Sequence, residues 1–391
     1  MNKLFQINEC LNYSTGRIAQ HIGDMVIDNG WESWIAYSSR QQEFPSRSNI
    51  FKIGHRYNAY YHYIQHKLFD KEGLISRRAT YDLINQIDKV RPNIIHLHNI
   101  HDHYLNYPLL FEYFANSDIP IVWTQHDCWA FTGGCMYFDQ LKCEKWKTEC
   151  FECPERRALF ADRSREQFAL KASLLNKINK LIYIPVSYWL SDILHNSSQH
   201  HREIITIHNG IDTELFKPAH ISQNVESFNI LGVAAVWDSR KGLDDFILLR
   251  KFLPRDYHIT LVGLSKSQIA NLPDGIVGIN RTNNINELVH LYSNSNVFVN
   301  PTYSDNFPTT NIEALSCGVP VITYETGGSV EAIDQDTGIV VPQGDIRKLA
   351  DSIMFVRNNP FSALACRERA VKYFDRKNCY QKYMSVYNSL I

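Results

Sequence analysis

The sequence has almost no net charge and no long apolar run. Its 40 lysines and arginines are balanced by 41 aspartates and glutamates, which leaves a formal net charge of −1. Because no surplus of positive charge attracts nucleic acid over the whole surface, we expect no nucleic-acid partner. No segment approaches the roughly 20 apolar residues that span a bilayer, and the amino-terminal residues lack the layout of a signal peptide. We therefore expect a cytoplasmic protein that makes at most peripheral contact with the inner face of the cell membrane.

The chain has an odd number of cysteines and no export signal, which predicts reduced thiols. Of the nine cysteines, four are close in sequence: Cys135, Cys143, Cys150 and Cys153. This spacing, which ends in Cys-x-x-Cys, fits a structural zinc site with four cysteine ligands. The alternative is a set of unconnected thiols in an irregular loop. A closed shell of four cysteines would stabilise a long insertion and would leave no coordination position for catalysis.

The chain also lacks internal repeats, low-complexity tracts and a complete Gly-x-Gly-x-x-Gly motif, so a dinucleotide site has little support. At 391 residues it is long enough for two domains. Apolar runs alternate with helical segments in both halves, beginning with a strand at Lys3–Asn8 and a helix at about 18–29 that Gly30 ends. This alternation predicts parallel βαβ units, and therefore an α/β protein with doubly wound sheets.

Residues 297–328 contain the most informative βαβ unit. A buried strand at 297–300, a polar loop, a short helix and a second buried strand at 320–324 follow one another. We expect Thr310 to cap the helix, with Glu313 at its third position, and Gly318 to end it. The loop would lie at the carboxyl edge of a parallel sheet, where the amide groups of a helix N-terminus suit a phosphate.

Two carboxylates in this unit have two interpretations. Glu313 could be only the acidic half of a capping box, and Asp305 a solvated loop residue. However, Asp305-x7-Glu313, followed by Ala-Leu-Ser-Cys-Gly-Val-Pro-Val-Ile and Gly327-Gly328, resembles the donor-site signature of retaining GT-B glycosyltransferases of family four. That family usually has glutamate at the first position, and aspartate is one methylene shorter.

The resemblance covers nearly the whole chain and implies a fold, a reaction and partners. The fold is two Rossmann-like domains that face a cleft. The reaction transfers a sugar with retention from a UDP- or GDP-sugar to a glycan or lipid-linked acceptor, without a catalytic metal. The family context is the synthesis of cell-surface polysaccharide, such as exopolysaccharide, O-antigen, lipopolysaccharide or capsule.

The same resemblance implies a donor site in the second half. There, Arg240, Lys241 and a glycine stand between a strand and a helix, a junction that favours anions. The family has an arginine four residues before the lysine, but this chain has Trp237 there, so we expect Arg240 to replace it. A solvated turn is the alternative for Lys241. Asp305 would contact the donor sugar and Glu313 the ribose, and the other implied donor contacts are Gly16, Arg281, Phe307, Thr309 and Thr310.

In the first half, two predicted strands, 92–99 and 120–127, end in histidines. The carboxyl ends of parallel strands share an edge, so His96, His98, His101 and His126 are expected near one rim, without the spacing of a metal site. The segment Thr124-Gln-His126-Asp127 resembles a Thr-x-His position on the acceptor side of the family's reaction centre. It implies that His126 hydrogen-bonds the transferred sugar, with Asp127 as the alternative. Arg17 could meet an anionic acceptor or be simply solvated.

Residues 55–91 are rich in tyrosine and basic residues and are expected to be helical. Such a segment could touch a membrane that carries a lipid-linked acceptor. We favour the other interpretation, an amphipathic helix with half-buried tyrosines.

The expected organisation is an acceptor-binding domain at 1–212 with a cysteine-rich insertion at 128–160, a nucleotide-sugar-binding domain at 226–374, and a terminal helix at 375–391 that packs back onto the first domain. The polar segment His220–Ser227 is the candidate linker. Two rival functions remain open. A sugar-nucleotide epimerase or hydrolase can share this fold, and the missing arginine and shortened carboxylate favour a non-catalytic, zinc-stabilised scaffold.

Overall fold

The computed structural model describes residues 1–12, 14–155, 158–219 and 227–391. The candidate linker at His220–Ser227 therefore lies, except for its last residue, outside the described residues. The chain forms two compact units. The first consists of Met1–Ile207 together with Tyr380–Ile391, and the second of His208–Cys379.

The first unit contains a seven-stranded sheet whose strand pairs are all parallel, in the order β3-β2-β1-β4-β5-β6-β7. The central strands are fully buried and mostly apolar, as expected for a parallel sheet covered by helices on both faces. The strands are β1 Lys3–Asn8, β2 Glu32–Ser38, β3 Asn49–Ile53, β4 Ile94–Leu97, β5 Ile121–Gln125, β6 Leu181–Pro185 and β7 Glu203–Ile204. The helices are α1 Ser14–Asp28, α2 Arg56–Phe69, α3 Arg77–Val90, α4 Tyr107–Ala115, α5 Ser164–Asn176 and α6 Tyr188–His195.

The second unit contains a six-stranded parallel sheet in the order β10-β9-β8-β11-β12-β13. Its strands are β8 Phe228–Val233, β9 Tyr257–Val262, β10 Ile276–Ile279, β11 Val297–Asn300, β12 Val321–Tyr324 and β13 Gly338–Val341. Its helices are α7 Leu243–Leu249, α8 Lys266–Ala270, α9 Ile285–Ser293, α10 Thr309–Ser316, α11 Ile346–Asn358 and α12 Ala363–Phe374. The last helix, α13 Arg376–Asn388, begins in this unit and ends in the first.

Both sheets have the strand order of a doubly wound fold, in which the direction of progression reverses beside the first strand. The reversal lies between β1 and β4 in the first sheet and between β8 and β11 in the second. Ligands of open α/β sheets bind outside the carboxyl ends of the strands at such a reversal. The loops after these four strands are therefore where a site is expected in each unit.

The carboxyl-terminal residues of α13 cover part of the first sheet. The hydroxyl of Tyr387 lies 2.7 Å from Nδ1 of His96, and that of Tyr383 lies 2.9 Å from Oγ1 of Thr124. All four side chains are buried, so these hydrogen bonds join the helix to β4 and β5 in a dry environment.

Several expected elements differ in extent from the observed ones. Helix α1 begins at Ser14 rather than at about residue 18. The segment 55–91 is two helices, α2 and α3, because the backbone at Asp70 is left-handed (φ 52°) and Ser76 departs from helical geometry (φ 22°). The strand β3 was not expected, since Asn49 and Lys52 leave only short apolar stretches in its sequence. Among the described residues, no helix has the length and apolar character needed to cross a membrane.

Candidate functional site

In the second unit, Lys241 and Asp305 form an ion pair across the reversal point of the sheet. Lys241 ends a 3₁₀ turn at Ser239–Lys241 in the loop that follows β8, and Asp305 lies in the loop that follows β11. The side chain of Asp238 begins this turn by accepting a hydrogen bond from the Lys241 amide at 3.1 Å. Both members of the pair are largely shielded from solvent, with 18% and 16% of their side chains exposed.

Gly242 allows the two loops to approach each other. Its φ is +73°, and a Cβ there would overlap the carbonyl oxygen of Pro301. On the other side of the turn, the Tyr303 amide donates to the carbonyl of Arg240 at 2.7 Å, and Nη1 of Arg240 donates to the carbonyl of Ser304 at 2.9 Å. The lysine and the aspartate are thus fixed by backbone contacts on both sides.

The helix after Asp305 begins differently from the prediction. The first helical residue of α10 is Thr309, and the residue before it, Pro308, makes no side-chain cap. Thr310 therefore lies inside the first turn, and the predicted cap was wrong. Glu313 is 7% exposed and accepts a hydrogen bond from the hydroxyl of Tyr292 at 3.0 Å, so it is not the acidic half of a capping box. Burial and this carboxylate raise the pKa of Tyr292 well above its ordinary value.

The end of α10 agrees with the prediction. Gly318 follows the C-cap residue with φ +79°, the left-handed conformation that glycine adopts readily. The amides of the first turn, at Thr309 and Thr310, remain at the edge of the sheet on the side of Asp305, and both residues are half-buried. Cations and helix amides at one edge form an arrangement that binds phosphate.

Two other expected donor contacts, Phe307 and Arg281, and the tryptophan at the family's arginine position have different surroundings. Trp237, at the position where the family has arginine, is buried and donates its indole N–H to the carbonyl of Val262 at 2.8 Å. Phe307 is also buried, and its ring lies 4.8 Å from that of His208 within the same unit. Arg281 is exposed, two residues beyond the end of β10.

In the first unit, the loops after β4 and β5 bring most of the expected histidines together. Nδ1 of His98 lies 3.1 Å from Nε2 of His126, and Nε2 of His101 lies 2.8 Å from a carboxylate oxygen of Asp127. His96 is instead enclosed under α13 and is a core residue, because it is the third of four buried residues in β4. His96 lies within β4, whereas His98 follows the end of the strand, and this explains why His96 does not lie at the rim.

The environment of this rim separates its histidines into two protonation states. Burial lowers the pKa of His126 to about 4, although Asp127 acts in the opposite direction. Burial alone would also lower the pKa of His101, but Asp127 and Asp102 raise it well above its ordinary value. The lowered pKa thus favours a neutral imidazole at His126 at neutral pH, whereas the raised pKa of His101 favours its protonated form.

Gly16 and Arg17 lie in the first turns of α1. Gly16 is buried, and a Cβ there would overlap the backbone of Leu11, so a close approach within the chain itself explains this glycine. Arg17 is exposed.

Sequence reasoning missed four polar residues beside the rim. Glu9 follows β1 directly, Arg40 lies two residues beyond β2, and Glu72 and His103 lie in loops. Within the part of the chain that is described, Glu72, His101 and Asp102 are the group of three whose ligand-type atoms all lie within 4.8 Å of one another. The signal that could have found Glu9 and Arg40 is their position just beyond parallel strands.

The four clustered cysteines are partly assembled. Cys135 is hydrogen-bonded to Cys153, and this contact together with burial raises the pKa of Cys135 well above its ordinary value. Sγ of Cys150 accepts the amide of Gly133 at 3.1 Å, and burial raises the pKa of Cys150 to about 11. In the described ranges, no three of the sulfur atoms lie within 4.8 Å of one another.

Comparison with known proteins identifies both units. Residues 219–373 match the family model described as Glycosyl transferases group 1, and residues 16–215 match that of Glycosyltransferase Family 4. The putative colanic acid biosynthesis glycosyl transferase WcaC of Escherichia coli is 26% identical over 274 residues, which are 66% of each chain. The capsular polysaccharide biosynthesis glycosyltransferase CapM of Staphylococcus aureus is 26% identical over 165 residues, 39% of this chain and 43% of CapM. The chain thus matches less than two thirds of the length of either curated relative.

Solved structures resemble the chain over its whole length. Sucrose-phosphate synthase from Thermosynechococcus elongatus has a TM-score of 0.75 at 17% identity, with 100% of this chain and 99% of that one covered. Anabaena HepE in complex with UDP has a TM-score of 0.67 at 15% identity, with 100% of both chains covered. At these identities the likeness concerns the fold, and it confirms the expected GT-B type with two Rossmann-like units.

Proposed function

Since this chain belongs to glycosyltransferase family 4, we propose that it transfers a sugar from a nucleoside-diphosphate sugar to a glycan or lipid-linked acceptor, with retention of anomeric configuration. The names of WcaC and CapM support a place in the synthesis of a cell-surface polysaccharide. The observation that carries the proposal is the Lys241–Asp305 pair at the reversal point of the second sheet, beside the first turn of α10.

The proposed role of Lys241 is to stabilise the diphosphate that leaves the donor. Negative charge grows on the leaving group in the transition state, and a fixed cation together with helix amides lowers its energy. Arg240 adds a second positive charge beside it, although its present contacts include the carbonyl of Ser304 and the carboxylate of Asp238. With these charges in place, the proposed reaction does not need a divalent metal at the diphosphate.

The two carboxylates have separate proposed roles. Asp305 orients Lys241 and contacts the donor sugar, and the ion pair with Lys241 supports the first of these roles. Glu313 binds the ribose hydroxyls, since a carboxylate fixed by Tyr292 is an acceptor with a defined direction.

The neutral imidazole of His126 is proposed as a hydrogen-bonding group for the transferred sugar. Retention would follow from attack on the same face of the sugar, with the leaving phosphate taking the proton of the acceptor.

We also propose that the cysteine cluster binds one structural zinc ion. The proposal is supported by the closeness of Cys135 and Cys153 and by the amide that Gly133 donates to Sγ of Cys150, since four cysteines in one segment are the ligand set of a structural zinc site. Zinc–sulfur bonds are about 2.3 Å long, so binding would have to draw the sulfur atoms closer together than they are here.

The experiment that tests the transferase proposal compares Lys241→Ala with Lys251→Ala, a second lysine of the same unit that is exposed. Loss of a preorganised charge at the leaving group costs roughly 2–4 kcal/mol, so Lys241→Ala should lower kcat about 30- to 900-fold. Lys251→Ala should retain wild-type turnover. Turnover is followed by mass spectrometry with a panel of nucleotide sugars and cell-envelope acceptors, without added Mg²⁺, and the product anomer is read by NMR.

Further measurements separate the rival functions. Conversion of a nucleotide sugar in the absence of acceptor would favour the epimerase or hydrolase. Failure of both UDP and GDP to bind in calorimetry would favour the scaffold, the interpretation that the buried Trp237 supports. Wild-type turnover in Lys241→Ala would contradict the assignment of Lys241 to the diphosphate.

A further inference from the structure

The first unit contains a cavity of about 700 Å³ that the proposed donor site does not include. It is lined by Arg40, Arg56, Tyr57, Tyr60 and Tyr63. Arg40 lies two residues beyond the end of β2, and Arg56 lies three residues beyond the end of β3. These two strands are parallel neighbours, so the cavity lies at the carboxyl edge of the first sheet, where α/β proteins bind ligands.

One wall of the cavity is aromatic and comes from a single side of α2. Tyr57, Tyr60 and Tyr63 recur at a spacing of about one helical turn and are 90%, 65% and 39% exposed. This exposure contradicts the expectation that the tyrosines of this segment are half-buried in an amphipathic helix. The rings of Tyr60 and Tyr63 are stacked with centroids 6.5 Å apart, which gives the wall a continuous face. Exposed aromatic surface that forms a concave wall is typical of a ligand site.

The other wall is cationic, and a chain of hydrogen bonds fixes one of its two arginines. Nη1 of Arg40 lies 2.9 Å from Nδ1 of His103, and Nε2 of His103 lies 2.8 Å from Nδ1 of His66. A guanidinium can only donate, so Nδ1 of His103 accepts and its Nε2–H donates to His66. Burial lowers the pKa of His103 to about 4, so this ring is neutral at pH 7.

The charge of Arg40 acts on the nearby carboxylates of Glu9 and Asp102, but among the described residues neither arginine of the cavity forms a contact ion pair. In the ranges that the structure describes, neither Arg40 nor Arg56 lies within 4.0 Å of a carboxylate oxygen. The nearest polar partner of Arg40 is the neutral ring of His103. Two exposed guanidinium groups beside an aromatic wall can bind an anion with charge-assisted, bidentate hydrogen bonds.

We propose that this cavity binds the acceptor, and that the acceptor is an anionic saccharide. The tyrosine rings pack against a sugar ring, and Arg40 and Arg56 bind a phosphate or carboxylate carried on that sugar or next to it. The proposal rests on the proposed function, because only a transferase has an acceptor. The chemistry of the ligand follows from the cavity itself, since an anion alone needs no aromatic wall and a neutral sugar needs no pair of arginines.

The test uses the full-length chain and two pairs of probes that differ in charge. One pair is a disaccharide with a terminal glucuronate and its glucose counterpart, and the other is N-acetylglucosamine 1-phosphate and methyl N-acetylglucosaminide. We expect the charged member of at least one pair to bind about tenfold tighter or more, as hydrogen bonds to charged groups allow. The pair that shows the preference tells whether the anion is a carboxylate or a phosphate.

Variants assign the binding to the cavity. Arg56→Gln should remove the preference for the charged probe, and Tyr60→Leu should weaken the binding of both members of the preferred pair. The matched controls are Arg78→Gln, an exposed arginine on α3, and Tyr61→Leu, an exposed tyrosine on α2. Neither control residue lines the cavity, and both variants should bind the probes as the wild type does.

Three results would overturn the proposal. The first is equal affinity for the charged and neutral members of both pairs. The second is equal binding of the probes by Tyr60→Leu and Tyr61→Leu. The third is an effect of Arg56→Gln only on binding to phosphatidylglycerol vesicles that carry no saccharide. The last result would assign the surface to a membrane.

A separate titration keeps failure of this proposal distinct from failure of the proposed function. UDP and GDP are titrated by calorimetry into the wild type and the two cavity variants. Arg56→Gln and Tyr60→Leu should bind the nucleotide as the wild type does, because the residues proposed to bind the nucleotide (Arg240, Lys241 and Glu313) lie in the second unit. Loss of nucleotide binding in both variants would overturn the assignment of the cavity to the acceptor. A wild type that binds neither nucleotide would defeat the transferase proposal.

Discussion

The backbone conformation of Gly242 determines how closely the loop of Lys241 approaches the loop of Asp305, the two loops of the proposed donor site. Its left-handed φ alone makes alanine unfavourable by about 1–2 kcal/mol. In addition, an alanine Cβ would overlap the carbonyl oxygen of Pro301 and push the loop of Lys241 away from the loop of Asp305. We predict that Gly242→Ala lowers both the free energy of unfolding and the affinity for UDP.

The matched control for this prediction is Gly30→Ala. Gly30 has a similar φ of +79°, but a Cβ there meets no atom within 4 Å. This variant should lose about 1–2 kcal/mol of stability and keep wild-type UDP binding. Urea unfolding and calorimetry on the same preparations measure both quantities. Equal UDP affinity in the two variants would show that the approach of the two loops is unimportant for the donor.

At the same scale, sequence patterns located the ends of strands better than they assigned individual roles. Lys241 and Asp305 are 64 positions apart and still meet, because the chain places both just beyond buried strands of one parallel sheet. Thr310 was misassigned as the N-cap because the preference of Ser, Thr and Asp for caps does not fix where a helix begins. In the structure the helix begins before Thr310, at Thr309, and Pro308 precedes it. His96 looked equivalent to His98, and only the packing of Tyr387 on it makes it a core residue.

At the scale of elements, the segment 128–160 stands out because its described part contains only two short 3₁₀ turns, at Trp129–Phe131 and Lys145–Lys147. Trp146 stacks on Phe138 with ring centroids 4.9 Å apart, which forms a small apolar cluster. Irregular segments of this length are uncommon in compact domains, so we expect an additional constraint on this one. A zinc ion bound by the four cysteines would supply it.

We predict about one zinc ion per chain in protein grown with zinc, measured by mass spectrometry of the metal content. Cys150→Ser should lose the metal, because serine is a poor zinc ligand, and its thermal midpoint should fall by several degrees. Cys317→Ser, which changes a buried cysteine of the second unit, should keep the metal. Zinc-free wild-type protein whose midpoint does not respond to added zinc would instead support unconnected thiols.

Strands whose residues are all buried and mostly apolar could be predicted from the sequence, whereas elements that mix apolar and polar residues more evenly could not. Strands β11 and β12 have four buried residues each, so their sequences indicate a parallel sheet without further information. Strand β3 has one buried residue in five and lies at the edge of its sheet, where pairing with β2 decides its conformation. The tyrosines of α2 were expected to be half-buried but are exposed. The prediction failed because the sequence of a helix does not show which of its sides the rest of the protein covers.

At the scale of the whole chain, the two units differ in their buried histidines. Among the described residues, the buried histidines all belong to the first unit: His62, His96, His98, His101 and His103. Burial lowers the pKa of His62 and His103 to about 4 and that of His96 to about 3. An unfolded histidine has a pKa of about 6.5. Below that pH the unfolded chain therefore binds more protons than the folded first unit.

The difference in bound protons determines how the stability of the first unit changes with pH. Each histidine with a lowered pKa stabilises the fold above pH 6.5, and this contribution falls by up to about 1.4 kcal/mol per pH unit as the pH decreases toward the folded value. His101 acts in the opposite direction, since its raised pKa stabilises the fold below pH 6.5 and the contribution is lost as the pH rises through the folded value. The lowered pKa of Asp127 matters only near and below about pH 4, where its contribution is lost.

We therefore predict that the first unit is less stable at about pH 5 than at about pH 7.5. Six of the seven tryptophans belong to this unit and only Trp237 to the other, so tryptophan fluorescence mainly follows its unfolding. The urea midpoint should be lower at the acidic pH. In His96→Phe the decrease should be smaller, because one buried imidazole no longer has to remain unprotonated, whereas His195→Gln, at an exposed position, should show the wild-type decrease. A midpoint that rises on acidification would mean that the charges around His101 outweigh the buried neutral rings.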